Sequence, residues 1–280
     1  MFQLQPVTDR VARIRERYRT TIPRLCIARL RIVTEFYQDN PQLTGPLKRA
    51  KNFKNLCEKL PIHINEGEVI VGSQVTSYRA SSLNPEFGGI AWFRQEWQAG
   101  TMLTREHDRY LVDPKDAEYV LSIVEFWEKE NNSAKLSEYV PEGYFAAAGN
   151  GVTTFPAGKG ICSNPIGHFC ANYNKAIRVG FASILAQARS RMASMEGKLY
   201  GHRVAQYNFY RSVAIVCEGM ILLSKRYADA CRTLAASERE PARKTELEEM
   251  ADCLDWIMEH PCRTFYEALQ CLYLYHLAMC

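Results

Sequence analysis

The 280-residue sequence lacks any apolar run near the ~20 residues that a membrane span requires. Its first residues, MFQLQPVTDRVARIRERYR, lack the apolar core of a secretory signal, and Asp9 and Glu16 argue against a mitochondrial presequence. Charge imbalance is slight. The 35 basic and 31 acidic residues leave +4, too little to argue for nucleic acid or a membrane surface as partner. Neither GxSxG nor HExxH occurs, which removes the common hydrolase signatures. A phosphate-binding loop is excluded as well: Gly151 and Gly158 enclose six residues rather than four, and Gly160 follows Lys159 where Ser or Thr is needed. There is no internal repeat and no low-complexity segment.

Ten cysteines are present, yet no two form C-x-x-C. The expectation is reduced thiols in a cytoplasmic chain. Cys253, Cys262, Cys271 and Cys280 recur every nine residues. Nine residues turn a helix by about 900°, so neighbours in that series face opposite sides and make no metal face. Pro261 interrupts the series in any case. Cys162 with His168 and Cys170, and Cys253 with His260 and Cys262, lack the usual four-ligand spacing, so no metal site is expected. Buried, inert cysteine is the reading that remains.

Hydrophobic residues at 47% and charged residues at 24% describe an ordinary soluble globular chain. Its pattern is mostly helical. Val11, Ile14, Tyr18 and Ile22 predict a helix over 8–22; Pro23 breaks or restarts it, and Ile27, Leu30 and Phe36 continue it over 24–38. Further helices are predicted over 46–59 and 114–130. EVIVGSQV, residues 68–75, is the best strand candidate, whereas 78–100 reads as turns interleaved with Trp92, Phe93 and Trp97. The segment 141–167 carries six glycines and three prolines, a loop too long for a plain connector. In the last third, Cys217, Met220, Tyr227 and Cys231 mark one helix face, and Leu247, Met250, Leu254 and Ile257 another. Phe265, Leu269, Leu272 and Met279 share a side of a final apolar helix, which stops at Cys280 without a cap. The sequence therefore reads as truncated there, and Phe265, Leu269, Leu272 and Leu277 are expected to form an exposed apolar stripe.

One residue invites a chemical role. In SNPIGHFCANYNKAIRVGF, residues 163–181, a Gly/Pro-rich loop delivers His168 to the start of a helix. His168 either caps a helix beginning near Phe169 or presents an imidazole to a cavity, ready to hydrogen-bond or accept a proton. Spacing alone leaves both open.

Five stretches, in order, resemble the N-terminal part of a glycyl radical enzyme of the pyruvate formate-lyase type. They are TDRVARIRERY with RLCIARLRIVTEFY, LPIHINEGEVIVGSQ, YRASSLNPEF with its Arg79, Ala80, Pro85 and Glu86, GHFCANYNKAIRVGF, and PCRTFYEALQ. Ile27, Leu30 and Gln74 depart from the family's usual Glu, Ala and Asn. The resemblance implies that 1–280 is the N-terminal portion of a single domain whose complete fold is a ten-stranded α/β barrel. Within it this segment supplies mainly surrounding helices. It also implies that Gly167–His168 match a pocket motif of dehydratase- and decarboxylase-type members, which makes His168 a substrate-binding residue. Gly160, eight residues earlier, stands where one such member has a pocket phenylalanine.

No cysteine sits in the Gly-Cys-x-Glu context that the family uses for its thiyl radical, so no catalytic residue and no cofactor is expected in this segment. In the complete enzyme a radical-SAM [4Fe-4S] activase would install a glycyl radical. A small-molecule substrate and a homodimer are the other partners implied. The competing expectation is a non-catalytic helical scaffold, or a remnant without the radical machinery.

Overall fold

A computed structural model describes residues 7–139, 141, 143 and 170–279. In chain order these form α1 (Asp9–Thr20), β1 (Arg24–Cys26), α2 (Ala28–Asp39), α3 (Gly45–Lys59) and β2 (Ala80–Ser82). Then come α4 (Pro85–Gly88), α5 (Ala91–Ala99), α6 (Thr101–Thr104), α7 (Pro114–Glu130) and α8 (Asn132–Ser137). After residue 169 follow α9 (Tyr173–Ala193), α10 (His202–Ser237), α11 (Pro241–Ile257) and α12 (Phe265–Met279). The chain is mostly helical, as the pattern predicts. It divides into two units, Met1–Leu30 with Arg79–Phe169, and Arg31–Tyr78 with Cys170–Cys280.

In the first unit, two expectations need correction. Residues 24–26 do not continue a helix: β1 pairs in parallel with β2, Arg24 opposite Ala80 and Cys26 opposite Ser82. Pro23 lacks an N–H, and its carbonyl accepts from Leu111 at 2.8 Å while the Leu25 N–H donates to the Leu111 carbonyl at 2.9 Å. The stretch read as turns holds α4 and α5, and α5 buries Phe93, which stacks on Trp97. Helix α7 occupies the predicted range, started by Asp113, whose carboxylate accepts from the Lys115 N–H at 2.8 Å, and by Pro114 at the first position. It buries Ala117, Val120, Ile123, Val124 and Trp127 at helical spacing. Under α4, Arg29 and Glu86 form a buried two-point ion pair at 2.5 and 3.2 Å. Arg79 donates to the Thr21 carbonyl and lies over the Tyr18 ring, fastening the end of α1.

In the second unit, the 36-residue helix α10 packs against α3, α9 and α11. Cys217, Met220, Tyr227 and Cys231 are buried on it, and Leu247, Met250, Leu254 and Ile257 on α11, as their spacing predicts. Leu234 lies outside that core at 41% exposure. Phe265, Leu269 and Leu272 of α12 face outward, and its inner side is Glu267, Gln270, Cys271 and Leu274.

Helix α9 breaks at Gly180, where φ is 71° and ψ 162°. That conformation is almost exclusive to glycine. It also admits a close approach, because a Cβ there would lie 2.7 Å from the Glu259 carbonyl oxygen. The break frees backbone groups on both sides. The Phe181 N–H donates to the Met258 carbonyl at 2.7 Å, and the Ile177 carbonyl accepts from the Cys262 N–H at 2.9 Å. Residues 258–262, the strap between α11 and α12, are thereby tied to α9.

Candidate functional site

The sequence-predicted site residue, His168, lies outside the described residues, as do Gly160, Cys162, Gly167 and nearly all of 141–167. The described chain resumes at Cys170. Residues 170–172 are not helical, and α9 starts at Tyr173 with Asn172 as its cap, the Asn172 side chain accepting from the Lys175 N–H at 3.0 Å. The capping position of α9 is filled by a residue of the usual kind.

The start of α9 meets the last turns of α12. The Tyr173 hydroxyl and His276 Nδ1 are hydrogen-bonded at 3.1 Å, both side chains reaching solvent. The Tyr173 ring packs edge-on against Tyr275 at 5.4 Å, and Tyr275 in turn against Phe181 at 5.2 Å. A phenol and an imidazole in contact can orient a hydroxyl or carboxylate or relay a proton.

Alongside runs the apolar segment read as a strand. Among the described residues it is not one, and its backbone is paired by side chains instead. The Val71 N–H donates to Gln270 Oε1 and the Gln270 amide donates back to the Val71 carbonyl, both at 2.8 Å. The Tyr227 hydroxyl accepts from the Ser73 N–H at 2.7 Å and donates to the Ser73 carbonyl at 3.3 Å. Tyr266 donates to the Val69 carbonyl at 2.6 Å, Tyr273 to that of Gly72 at 3.3 Å, and the Gln74 amide to the Leu277 carbonyl at 3.0 Å. Each bond does what a neighbouring strand would do. Burial pushes the Tyr227 phenol up to about 12, so it stays protonated and able to donate.

A cavity of about 500 Å³ opens among α3, α9, α10 and α12, walled by Phe53, Phe181, Phe209, Val213, Met220 and Tyr275. Cys217 also lines it, but burial pushes that thiol up to about 11, which removes it as a nucleophile. The cavity can take an apolar group; it has no acid–base pair. Among the described residues, no group of three His, Cys, Asp or Glu is placed to hold a metal ion. No described helix is long and apolar enough to cross a membrane.

Sequence reasoning missed the clamp on 69–74 and the Tyr173–His276 pair. Gln270 and Glu267 were a usable signal, since two polar residues on the core side of an apolar helix need partners. The pair carried no signal, because its members are 103 residues apart.

The family model described as pyruvate formate lyase-like matches residues 6–280. The isethionate sulfite-lyase of Nitratidesulfovibrio vulgaris is 29% identical over 277 residues, 94% of this chain and 32% of that protein. The glycerol-bound B12-independent glycerol dehydratase from Clostridium butyricum superposes with a TM-score of 0.85 at 24% identity, over 99% of this chain and 34% of that one. A glycyl radical enzyme from Archaeoglobus fulgidus gives 0.83 at 25% identity, over 96% and 34%. The chain spans about a third of the length of the curated relatives it matches.

Proposed function

The chain belongs to the glycyl radical enzymes of the pyruvate formate lyase-like family, and we propose on that premise that it forms the N-terminal, substrate-pocket part of such an enzyme. The reaction is radical cleavage of a C–O, C–C or related bond in a small molecule, with dehydration or decarboxylation favoured over pyruvate cleavage. The named activities of the relatives, a sulfite-lyase and a glycerol dehydratase, support a small hydroxylated substrate. The complete fold is a ten-stranded α/β barrel, to which this segment adds helices and one pocket wall. No cysteine here has the context of the thiyl residue, so the hydrogen-abstracting chemistry belongs to the remaining two thirds of a relative-length protein. A radical-SAM activase installs the glycyl radical there, and the complete protein is a cytoplasmic homodimer.

The residue of this chain assigned to the substrate is His168, which holds a hydroxyl or carboxylate or takes its proton. The observation that supports the assignment is the match of Gly167–His168 to the pocket motif of dehydratase- and decarboxylase-type members; the helix that follows takes its cap from Asn172.

The test is His168→Gln in the relative-length enzyme that contains this chain, activated by its radical-SAM partner and assayed on glycerol and isethionate. Turnover should fall by about 10²–10⁴-fold, with the glycyl radical signal and the melting temperature unchanged. Near-normal turnover with a lowered melting temperature would refute the pocket role. Absence of any turnover by the activated parent, with no radical formed, would favour the scaffold.

A further inference from the structure

The cavity among α3, α9, α10 and α12 is long and narrow. On α10 its wall runs from Phe209 through Ser212, Val213, Val216 and Cys217 to Met220. That stretch is about three turns, or roughly 16 Å of rise. Spread over it, a volume of about 500 Å³ leaves a cross-section of ~30 Å². Carbon atoms in contact stand ~4 Å apart, so the space admits one alkyl chain and not two abreast. Its ends differ. Cys217 and Met220 are each 2% exposed, whereas Phe209 is 56% exposed, so the cavity opens at the Phe209 end.

The lining carries a single charge. Arg49 of α3 is the one ionised side chain among the described residues that wall the cavity, and no carboxylate lines it. Helix α3 runs beside α10 in the same direction. Lys54 pairs with Glu218 at 2.9 Å, Phe53 lies against Gly219, and Arg226 donates to the carbonyls of Cys57 and Leu60. In that register Arg49, one turn before Phe53, lies towards the open end. Helical side chains lean towards their own N-terminus, which here is the same end. The other polar tips are neutral. Ser212 donates its hydroxyl proton to the Asn208 carbonyl at 2.7 Å, and burial raises the Tyr275 phenol. Burial also pushes the Cys217 thiol up to about 11.

We propose that this cavity is a binding site for a linear alkyl monocarboxylate, its tail lying along α10 towards Met220 and its carboxylate held at the open end by Arg49. Apolar walls one chain wide select the tail and reject fused rings. A single guanidinium with no acidic neighbour selects a monoanion, and its paired N–H groups match the two oxygens of a carboxylate. An ammonium head would be repelled, and a neutral head would leave the guanidinium unused. The site does not rest on the radical chemistry, because every described wall belongs to helices of the second unit.

The experiment uses the whole protein that contains these 280 residues, titrated calorimetrically with hexanoate, octanoate and decanoate. Octan-1-ol and octylammonium are the comparison ligands. Binding should saturate at one ligand per chain and tighten about fourfold for each added methylene. Octanoate should bind about ten- to a hundredfold more tightly than octan-1-ol, and octylammonium more weakly than either. Arg49→Gln should bring octanoate down to the affinity of octan-1-ol and leave the alcohol unchanged. Val213→Trp, which fills the cavity from α10, should abolish binding of both at an unchanged melting temperature. Ala278→Phe fills it from α12 and replaces that variant if it fails to fold. No saturable binding is the result if another part of the protein occupies the cavity, and it would overturn the proposal. So would an affinity indifferent to tail length, or a carboxylate preference that survives Arg49→Gln.

Discussion

Replacing Gly180 by alanine separates the two reasons the α9 break needs glycine. The first is the backbone: a φ of 71° with ψ of 162° costs a residue with a side chain about 1–3 kcal/mol. The second is space. The new Cβ would lie 2.7 Å from the Glu259 carbonyl oxygen and 2.9 Å from the His260 nitrogen, both backbone atoms that cannot rotate away. Relief of the clash means moving the strap outward, which lengthens the Phe181–Met258 and Cys262–Ile177 hydrogen bonds. At about 0.5–1.5 kcal/mol net for each bond, strap movement adds roughly 1–3 kcal/mol. The sum, about 2–6 kcal/mol, is a large share of the ~5–15 kcal/mol by which such domains are stable. The control is Gly197→Ala, at a φ of 70° with nothing within 4 Å of the added carbon. It carries backbone strain alone, about 1–2 kcal/mol. Urea unfolding followed by circular dichroism measures both, and amide exchange at Phe181 and Cys262 reports on the strap. Equal destabilisation by the two variants, with both amides still protected in Gly180→Ala, would refute the spatial argument.

Gln270→Leu leaves the buried Val71 N–H and carbonyl without partners, and should cost about 2–6 kcal/mol in the same assay, at ~1–3 kcal/mol for each orphaned group. Arg29→Met removes the two-point cationic partner of the buried Glu86 carboxylate and should destabilise by about 3–5 kcal/mol, while Arg29→Met with Glu86→Leu should recover most of that loss. A double mutant no more stable than the single one would contradict the pairing argument. Burial pushes the Glu267 carboxyl up, but hydrogen bonds from the Arg263 side chain and backbone outweigh it and hold the pKa below the ordinary 4.5. Its stabilisation is therefore complete above that value and is lost as pH falls through the folded-state value, so melting curves of Glu267→Gln should show a flatter acid limb.

What the sequence disclosed was whatever is decided locally. Helix α7 falls on 114–130 because its cap, its first proline and its apolar spacing all lie within the segment. The inner face of α11 was legible for the same reason. EVIVGSQV misled because a β-branched run says only that the backbone is extended and half-buried. The groups that pair it lie more than 150 residues away, and they are side chains. Pro23 was read as a pause in a helix, since nothing near Arg24 announces Leu111 and Arg79 as its neighbours. At the candidate site, spacing left the role of His168 open, whereas Asn172, the cap of α9, is a residue of the kind that local sequence can announce.

The clamp on 69–74 also sets an order of events during synthesis. Val71 leaves the ribosome 199 residues before Gln270, and Gln74 203 residues before Leu277. At ~5–20 residues per second, that interval is about 10–40 s. Throughout it the stretch Val69-Ile70-Val71 has its full complement of backbone donors and acceptors and no native partner for them. Such a stretch is a template for strand addition by any neighbouring chain. Glu66 and Glu68 stand directly before it, placing two like charges at the edge where a second copy would dock. Helix α12, which carries Gln270 and Leu277, is the one that closes this window.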